Sequence, residues 1–194
     1  PEEADAMCQP LIEEIKRRVG DFVYSVDVET LEELVVSLLK EQGKKLACAE
    51  SCTGGLLSKR ITDVPGSSSV FDMGCVTYAN QAKEDLLSVS RETLERFGAV
   101  SPETAREMAE GMVRRSGSDL GVGITGIAGP DGGTAQKPVG LIYIALSDGE
   151  HTWVTKRSPL GRTKSREWHR HCAASQALDM VRRYLTGLPV EAEY

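Results

Sequence analysis

The sequence predicts a three-layer α/β/α domain on a mostly parallel sheet, and three observations carry that expectation. Apolar runs of strand length alternate with amphipathic helical stretches along most of the chain. The helices bring their own start and stop signals, such as Thr30 with Glu33 and, thirteen residues after Thr30, Gly43. LACAE, DLGVGIT and VGLIYIAL read as buried or core strands between them.

Taken in order, LIEEIKRRVG at Leu11 to Gly20 has helical period, with Leu11, Ile12, Ile15 and Val19 on one face and Gly20 as a C-cap. DFVYSVDVE follows as an extended acidic connector, so residues 1–27 are expected to be an arm carried over from an upstream domain. The chain opens Pro1-Glu2-Glu3 without Met, which fits a piece of something longer. Thr30 caps a helix whose stripe is Leu31, Leu34, Val35, Leu38 and Leu39. The strand LACAE (46–50) runs into SCTGGLLSKRITDV, which opens a second helix. The turn PGSSS leads to the strand FDMGCVTYA (71–79), then to the short helices QAKEDLLSV and RETLERFG. Ser101 caps the next helix with Pro102 at its first position. DLGVGIT and VGLIYIAL flank a glycine-rich loop, HTWVTKR reads as a half-exposed antiparallel strand, and a last helix covers about 165–186. The main domain is expected over 28–188, with 189–194 as a tail.

Composition narrows the function classes. A chain of 194 residues buries roughly 70% of its unfolded surface, enough to stand without disulfides or metal staples. Hydrophobic residues at 40% and charged ones at 27% argue against disorder. The net charge of −6 disfavours coating DNA or an anionic membrane. No apolar run approaches the ~20 residues of a membrane span. Five cysteines without framework spacing read as reduced thiols of a cytosolic protein.

Three segments have the residue types for chemistry. The strand-to-helix step Ala49-Glu50-Ser51-Cys52-Thr53-Gly54-Gly55 places small residues at a helix start, where unpaired N–H groups can receive an anion or oxyanion. Ser51 and Thr53 can equally be read as N-caps, but Glu50 and Cys52 add a carboxylate and a thiol at a strand's carboxyl end, where α/β sheets bind ligands. The second segment, Val76 to Lys83, gathers Tyr78, Asn80 and Lys83; Asn80 as an N-cap and Lys83 as a solvated amine are the plainer alternative. Its spacing does not fit the Tyr-x-x-x-Lys pair of short-chain dehydrogenases.

The third segment, Gly121 to Gly126, matches GxGxxG formally. Its first glycines lie inside an expected strand and not in a strand-to-helix turn, so it is not a dinucleotide fingerprint. The loop GIAGPDGGTAQKP beyond it is either an anion cradle or a plain hairpin connection. No zinc spacing is present, and His169 and His171 lie two apart on a helix, poorly placed to share a metal. The basic residues Lys156, Arg157, Arg162, Lys164, Arg166 and Arg170 read mostly as a solvated face, unless one arginine is aimed at a phosphate.

AESCTGGLLSKRITDVPGSSSVF, GCVTYANQAKEDLL and GITGIAGPDGGTAQKPVGLIYIAL together closely resemble the C-terminal domain of the CinA competence/damage-inducible family, also called PncC, over about 29–186. Residues 1–27 resemble the stretch joining this domain to an upstream one. The resemblance implies an α/β/α sandwich with a mixed sheet, a frequent homodimer, and hydrolysis of nicotinamide mononucleotide to nicotinic acid mononucleotide and ammonia, with no cofactor or metal. It implies Ser51 as nucleophile, with Tyr78 and Lys83 assisting proton transfer. Glu50, Cys52, Thr53, Gly54, Gly55, Asn80, Thr125, Gly126, Gly129 and Arg166 are then expected around the substrate.

The residues agree with that chemistry. Lys83 can serve as base if burial or a neighbouring cation keeps it neutral, and N–H groups after Ser51 can hold the oxyanion. Tyr78 would protonate the departing ammonia or relay a proton between Ser51 and Lys83. Arg166 is the expected phosphate ligand. The family pattern Gly-Asp-Arg-Glu-x-Ile-Arg is here Lys164-Ser165-Arg166-Glu167-Trp168-His169-Arg170, which keeps both arginines but lacks the Gly, Asp and Ile. The alternatives are a nucleotide-sensing module without turnover, a competence factor contacting DNA, and a hydrolase built on Cys52.

Overall fold

The computed structural model describes residues 2–26, 30–158 and 164–191. Its elements run α1 (Glu2–Val19), a 3₁₀ turn (Gly20–Phe22), α2 (Leu31–Gln42), β1 (Leu46–Glu50), α3 (Leu56–Thr62), a second 3₁₀ turn (Ser67–Ser69), β2 (Phe71–Val76), α4 (Asn80–Leu87), α5 (Arg91–Phe97), α6 (Pro102–Ser116), β3 (Leu120–Gly126), β4 (Ile142–Ser147), β5 (Thr152–Arg157) and α7 (Arg166–Leu185). The five strands form one sheet in the order β2-β1-β3-β4-β5. β1 is parallel to both β2 and β3, and the remaining two ladders are antiparallel. The sheet is therefore mixed, with its parallel part gathered at one side.

Strand periodicity sorts the helices into layers. On β1, Leu46 and Cys48 point to one face and join a core with Val35, Leu39, Leu57, Ile61 and Leu178, from α2, α3 and α7. Ala47 and Ala49 point to the other face, against Leu87, Leu94, Met108 and Met112 of α4, α5 and α6. The crossover from β1 to β2 moves one way over the first face, and that from β2 to β3 returns over the second. Opposite directions on opposite faces give both crossovers the same hand, as chirality requires of parallel connections.

The glycines of β3 have a packing origin. A Cβ at Gly121 would lie 2.3 Å from the Ala109 carbonyl oxygen, and one at Gly123 2.5 Å from that of Ala105. Both glycines let the α6 backbone settle on the sheet, so this GxGxxG belongs to the core.

The ends of the chain behave differently from each other. α1 stands largely exposed, with Leu11 at 63% and Ile15 at 44% relative exposure, and Gly20 leaves it at φ +63°. The connector is tied down past that point, where Arg182 donates to the Asp21 carbonyl and the Arg183 guanidinium lies over the Phe22 ring. The expected tail from 189 needs correcting. Val190 is buried in the main core, and the Glu191 carboxylate accepts the Val154 N–H at 3.2 Å, so the domain stays docked through 191.

Candidate active site

Three parallel strands end at one level, and the site lies across their carboxyl ends. Glu50 stands beside Val76 on one side and Ile124 on the other. The pairing runs one residue further, with Ser51 N–H donating to Ile124 O and Thr77 N–H to Glu50 O, both at 2.9 Å. Ser51, Thr77 and Thr125 are thereby set side by side at the carboxyl edge of the parallel strands.

Lys83 comes from the first turn of α4, which begins directly after Tyr78-Ala79. Its side chain turns back over the strand ends and is only 1% exposed. Nζ donates to Thr77 O at 2.7 Å and lies 3.4 Å from both Ser51 Oγ and Tyr78 O. Among the described residues no carboxylate pairs with it. Burial without a counter-charge pushes the Lys83 pKa down from its ordinary value. The neighbouring Cys52 thiol is pushed the other way, up to about 12, because burial disfavours its thiolate.

The Ser51 turn is built differently from a capped helix start. Neither Ser51 nor Thr53 is the N-cap of α3; Gly55 holds that position at φ +90° with no side-chain cap. Gly54 N–H closes the turn on Ser51 O at 3.1 Å. In the middle of the turn the Thr53 N–H has no acceptor among the described residues, while the Cys52 N–H turns toward its own sulfur. Glu50 supplies the missing cap. Its carboxylate, fully buried, accepts from Leu57 N–H, Ser58 N–H and Ser58 Oγ–H at 3.0, 2.8 and 2.7 Å.

A cavity of about 260 Å³ opens over this edge. Of the expected site residues, Ser51, Cys52, Tyr78, Lys83, Thr125, Gly126, Gly129 and Arg166 line it. The others do not. Glu50 caps α3 and does not line the cavity. The Thr53 side chain is buried with Oγ1 unpartnered, outside the cavity. Gly54 and Gly55 shape the turn at φ +59° and +90° without facing the cavity. Asn80 is exposed at the first helical position of α4, whose N-cap is Ala79, and it reaches neither cavity nor cap.

Tyr78 also departs from expectation as a relay between Ser51 and Lys83. Its side chain is 63% exposed and its hydroxyl meets Arg166 Nη2 at 3.3 Å, while only its backbone carbonyl faces Lys83. Lys83 reaches Ser51 without it.

Residues not anticipated from sequence complete the wall: Ala99, Val100, Ile127, Ala128, Asp131 and Gly132. They come from the turn before α6 and from the glycine-rich loop. Thr125 Oγ1 donates to Ala99 O at 2.6 Å, and Lys137 Nζ donates to Phe97 O and Val100 O at 2.6 and 2.8 Å, binding the two loops together. Ile127, Ala128, Asp131 and Gly132 belong to the loop that the sequence offered as a possible cradle, whereas Ala99 and Val100 carry no chemistry that a sequence pattern could flag.

The first turns of α7 form the remaining side. Arg166 donates to Gly129 O at 2.8 Å and lines the rim, while Arg170 passes beneath the Ser51 turn. Arg157 and Lys164 lie over the Trp168 ring instead, 4.7 and 5.2 Å from its centroid, and Arg162 lies outside the described residues. His169 is buried and His171 exposed, on different sides of the helix. No three His, Cys, Asp or Glu side chains converge as a metal site among the described residues, and no helix there is long and apolar enough to cross a membrane.

Comparison with known proteins agrees with this architecture. Residues 28–185 match the family model of the CinA C-terminal domain. A CinA-like protein of Desulfovibrio desulfuricans is 54% identical over 98% of this chain and 45% of its own length. One of Kosmotoga olearia is 48% identical over 95% and 44%. The chain thus spans less than half the length of these relatives. The crystal structure of the competence/damage inducible protein CihA from Agrobacterium tumefaciens superposes with a TM-score of 0.76 at 40% identity, over 84% of this chain and 99% of that one. A competence or damage-inducible protein from Enterobacter asburiae gives 0.74 at 31% identity, over 81% and 99%. With its sheet, its helical layers and nearly all of its residues from 28 onward accounted for, this chain belongs to the CinA C-terminal domain family.

Proposed function

We propose that the domain is a serine amidohydrolase that converts the carboxamide of nicotinamide mononucleotide into the carboxylate and ammonia. The observation that carries this reading is Lys83: a buried amine with no counter-charge, its pKa lowered, 3.4 Å from Ser51 Oγ. A neutral lysine at that place is a general base for a serine that has no histidine partner.

In this reading Lys83 Nζ takes the Ser51 hydroxyl proton as Oγ bonds to the carboxamide carbon. The oxyanion that forms is received by the N–H groups of the turn after Ser51, where Cys52 lines the cavity. The Lys83 ammonium returns its proton to the leaving nitrogen as the C–N bond breaks, releasing ammonia and leaving an ester on Ser51. Water, deprotonated by Lys83, then cleaves the ester, and Ser51 recovers its proton. Arg166 and the Tyr78 hydroxyl, paired at the rim, would receive the nucleotide's phosphate end. Cys52 serves by its backbone, since its thiol stays protonated.

The test is ammonia release from nicotinamide mononucleotide, with and without EDTA, beside Ser51→Ala. Turnover that survives EDTA and disappears in the variant supports the proposal. Saturable binding in both proteins without ammonia would instead make the domain a sensing module.

A further inference from the structure

Arg170 lies outside the cavity yet is bound to the turn that follows Ser51. Its Nε–H and Nη2–H both donate to the Thr53 carbonyl oxygen, at 3.1 and 2.6 Å. Among the described residues, that oxygen otherwise accepts only the Leu56 N–H, at 3.2 Å. The turn it holds has little of its own to keep its shape. Gly54 and Gly55 follow in succession at positive φ, a conformation glycine permits and does not enforce. Thr53 Oγ1 is buried without a partner, so the side chain adds no tie. A Cβ on Gly54 would sit 3.4 Å from Arg170 Nη2, an ordinary contact, so the guanidinium is packed against the turn as well as bonded to it.

The Thr53 carbonyl and the Gly54 N–H belong to one peptide plane. Pinning the first fixes the second, and the Gly54 N–H is the group that closes the turn on Ser51 O. The orientation of the Cys52–Gly54 stretch, including its mid-turn N–H groups, is thereby tied to α7. The fixed positive charge also faces the turn where negative charge would develop, and it opposes the burial effect on Cys52.

We propose that Arg170 is the positioning residue of the nucleophile turn: it holds Ser51 and the oxyanion donors in register through the Thr53 carbonyl without meeting the substrate. The inference deepens the amidohydrolase reading and rests on it for the identity of the reaction. A geometric role of this kind shows in kcat and not in KM, because the binding wall around Arg166 is untouched.

The experiment compares the wild-type chain, Arg170→Ala and Arg170→Lys in two assays. One is steady-state ammonia release from nicotinamide mononucleotide. The other is the rate at which a fluorophosphonate labels Ser51, followed by intact mass, with thermal unfolding as the control for folding. Arg170→Ala is expected to lose on the order of 100-fold in kcat and in labelling rate, with KM unchanged. Guanidinium ion added to that variant should restore part of both rates, and Arg170→Lys, which keeps one charged donor, should fall between. If Arg170→Ala does not fold, the lysine variant alone carries the comparison.

Wild-type rates in the variants, or a loss confined to KM, would overturn the proposal, as would a wild-type chain whose Ser51 does not label. A wild-type chain that labels but releases no ammonia from the nucleotide would overturn the substrate reading alone, and the labelling rates would still decide the role of Arg170.

Discussion

Replacing Glu50 by Gln separates a structural carboxylate from a catalytic one. In the structure Oε2 accepts Leu57 N–H, and Oε1 accepts both Ser58 N–H and Ser58 Oγ–H, in a fully buried position. Glutamine can keep its oxygen on the Ser58 pair, but then its amide NH₂ faces the Leu57 N–H, donor against donor. One charge-assisted hydrogen bond is lost, worth about 1.5–3 kcal/mol, and the helix N–H left unsatisfied costs about 1–3 kcal/mol more. These overlap, so the net loss is roughly 2–4 kcal/mol. For a domain of this size about 2–4 °C of Tm accompanies each kcal/mol, which sets the expected fall at roughly 5–15 °C. Differential scanning calorimetry measures the fall, and ammonia release at a temperature well below the variant's Tm measures what remains of function. The variant should keep its KM and the shape of its pH profile, because Glu50 does not line the cavity. An unchanged Tm with turnover abolished would refute the reasoning, since it would put this carboxylate in the chemistry and not in the helix cap.

Other outcomes rest on the same geometry. Burial places the folded-state pKa of Lys83 below its unfolded value, so between the two the unfolded chain binds the extra proton and this group's contribution to stability improves as pH rises. The wild-type chain should therefore gain Tm on Lys83→Met with rising pH through a window below 10.5, and a flat or reversed difference would contradict a buried, unpaired amine. Ammonia release by Lys83→Met should drop by about 10²–10⁴-fold, the usual worth of a general base, while kcat/KM of the wild type climbs with pH to a plateau that starts below the ordinary lysine value. Gly123→Ala puts a methyl group 2.5 Å from the Ala105 carbonyl and 2.7 Å from the Ala109 nitrogen, so urea unfolding should show a loss of roughly 1–3 kcal/mol or more. Because the Cys52 thiol is pushed up to about 12, iodoacetamide at neutral pH should leave activity intact and Cys52→Ala should turn over.

The regular elements were legible because their signals are local: the Thr30–Glu33 box, Pro102 after Ser101, and Gly43 and Gly20 at helix ends all stand where the sequence places them. The carboxyl-edge location of Ser51 was equally legible, since it needs only the knowledge that LACAE is an inner parallel strand. The errors came where a side chain's destination depends on tertiary packing. Glu50, read beside Ser51, alternates to the other side of its strand and finds the α3 amides. Tyr78 and Lys83 are five residues apart, yet the chain turns into α4 between them, so one leaves for the rim and the other doubles back over the sheet. Arg170 looked like one more surface charge, because nothing local announces that its partner is a carbonyl 117 residues away.

The central position of β1 has a dynamic consequence. The strand that presents Ser51 is hydrogen-bonded on both sides, and the Ser51 N–H itself is held by Ile124 O. Its amides should exchange with solvent only through the largest opening events of the domain, at rates that track global unfolding. The strand beneath the nucleophile therefore offers no local loosening through which Ser51 could be regulated. Any gating on the timescale of turnover has to come from the opposite wall, the 127–140 loop and the first turn of α7, where few strand bonds stand in the way.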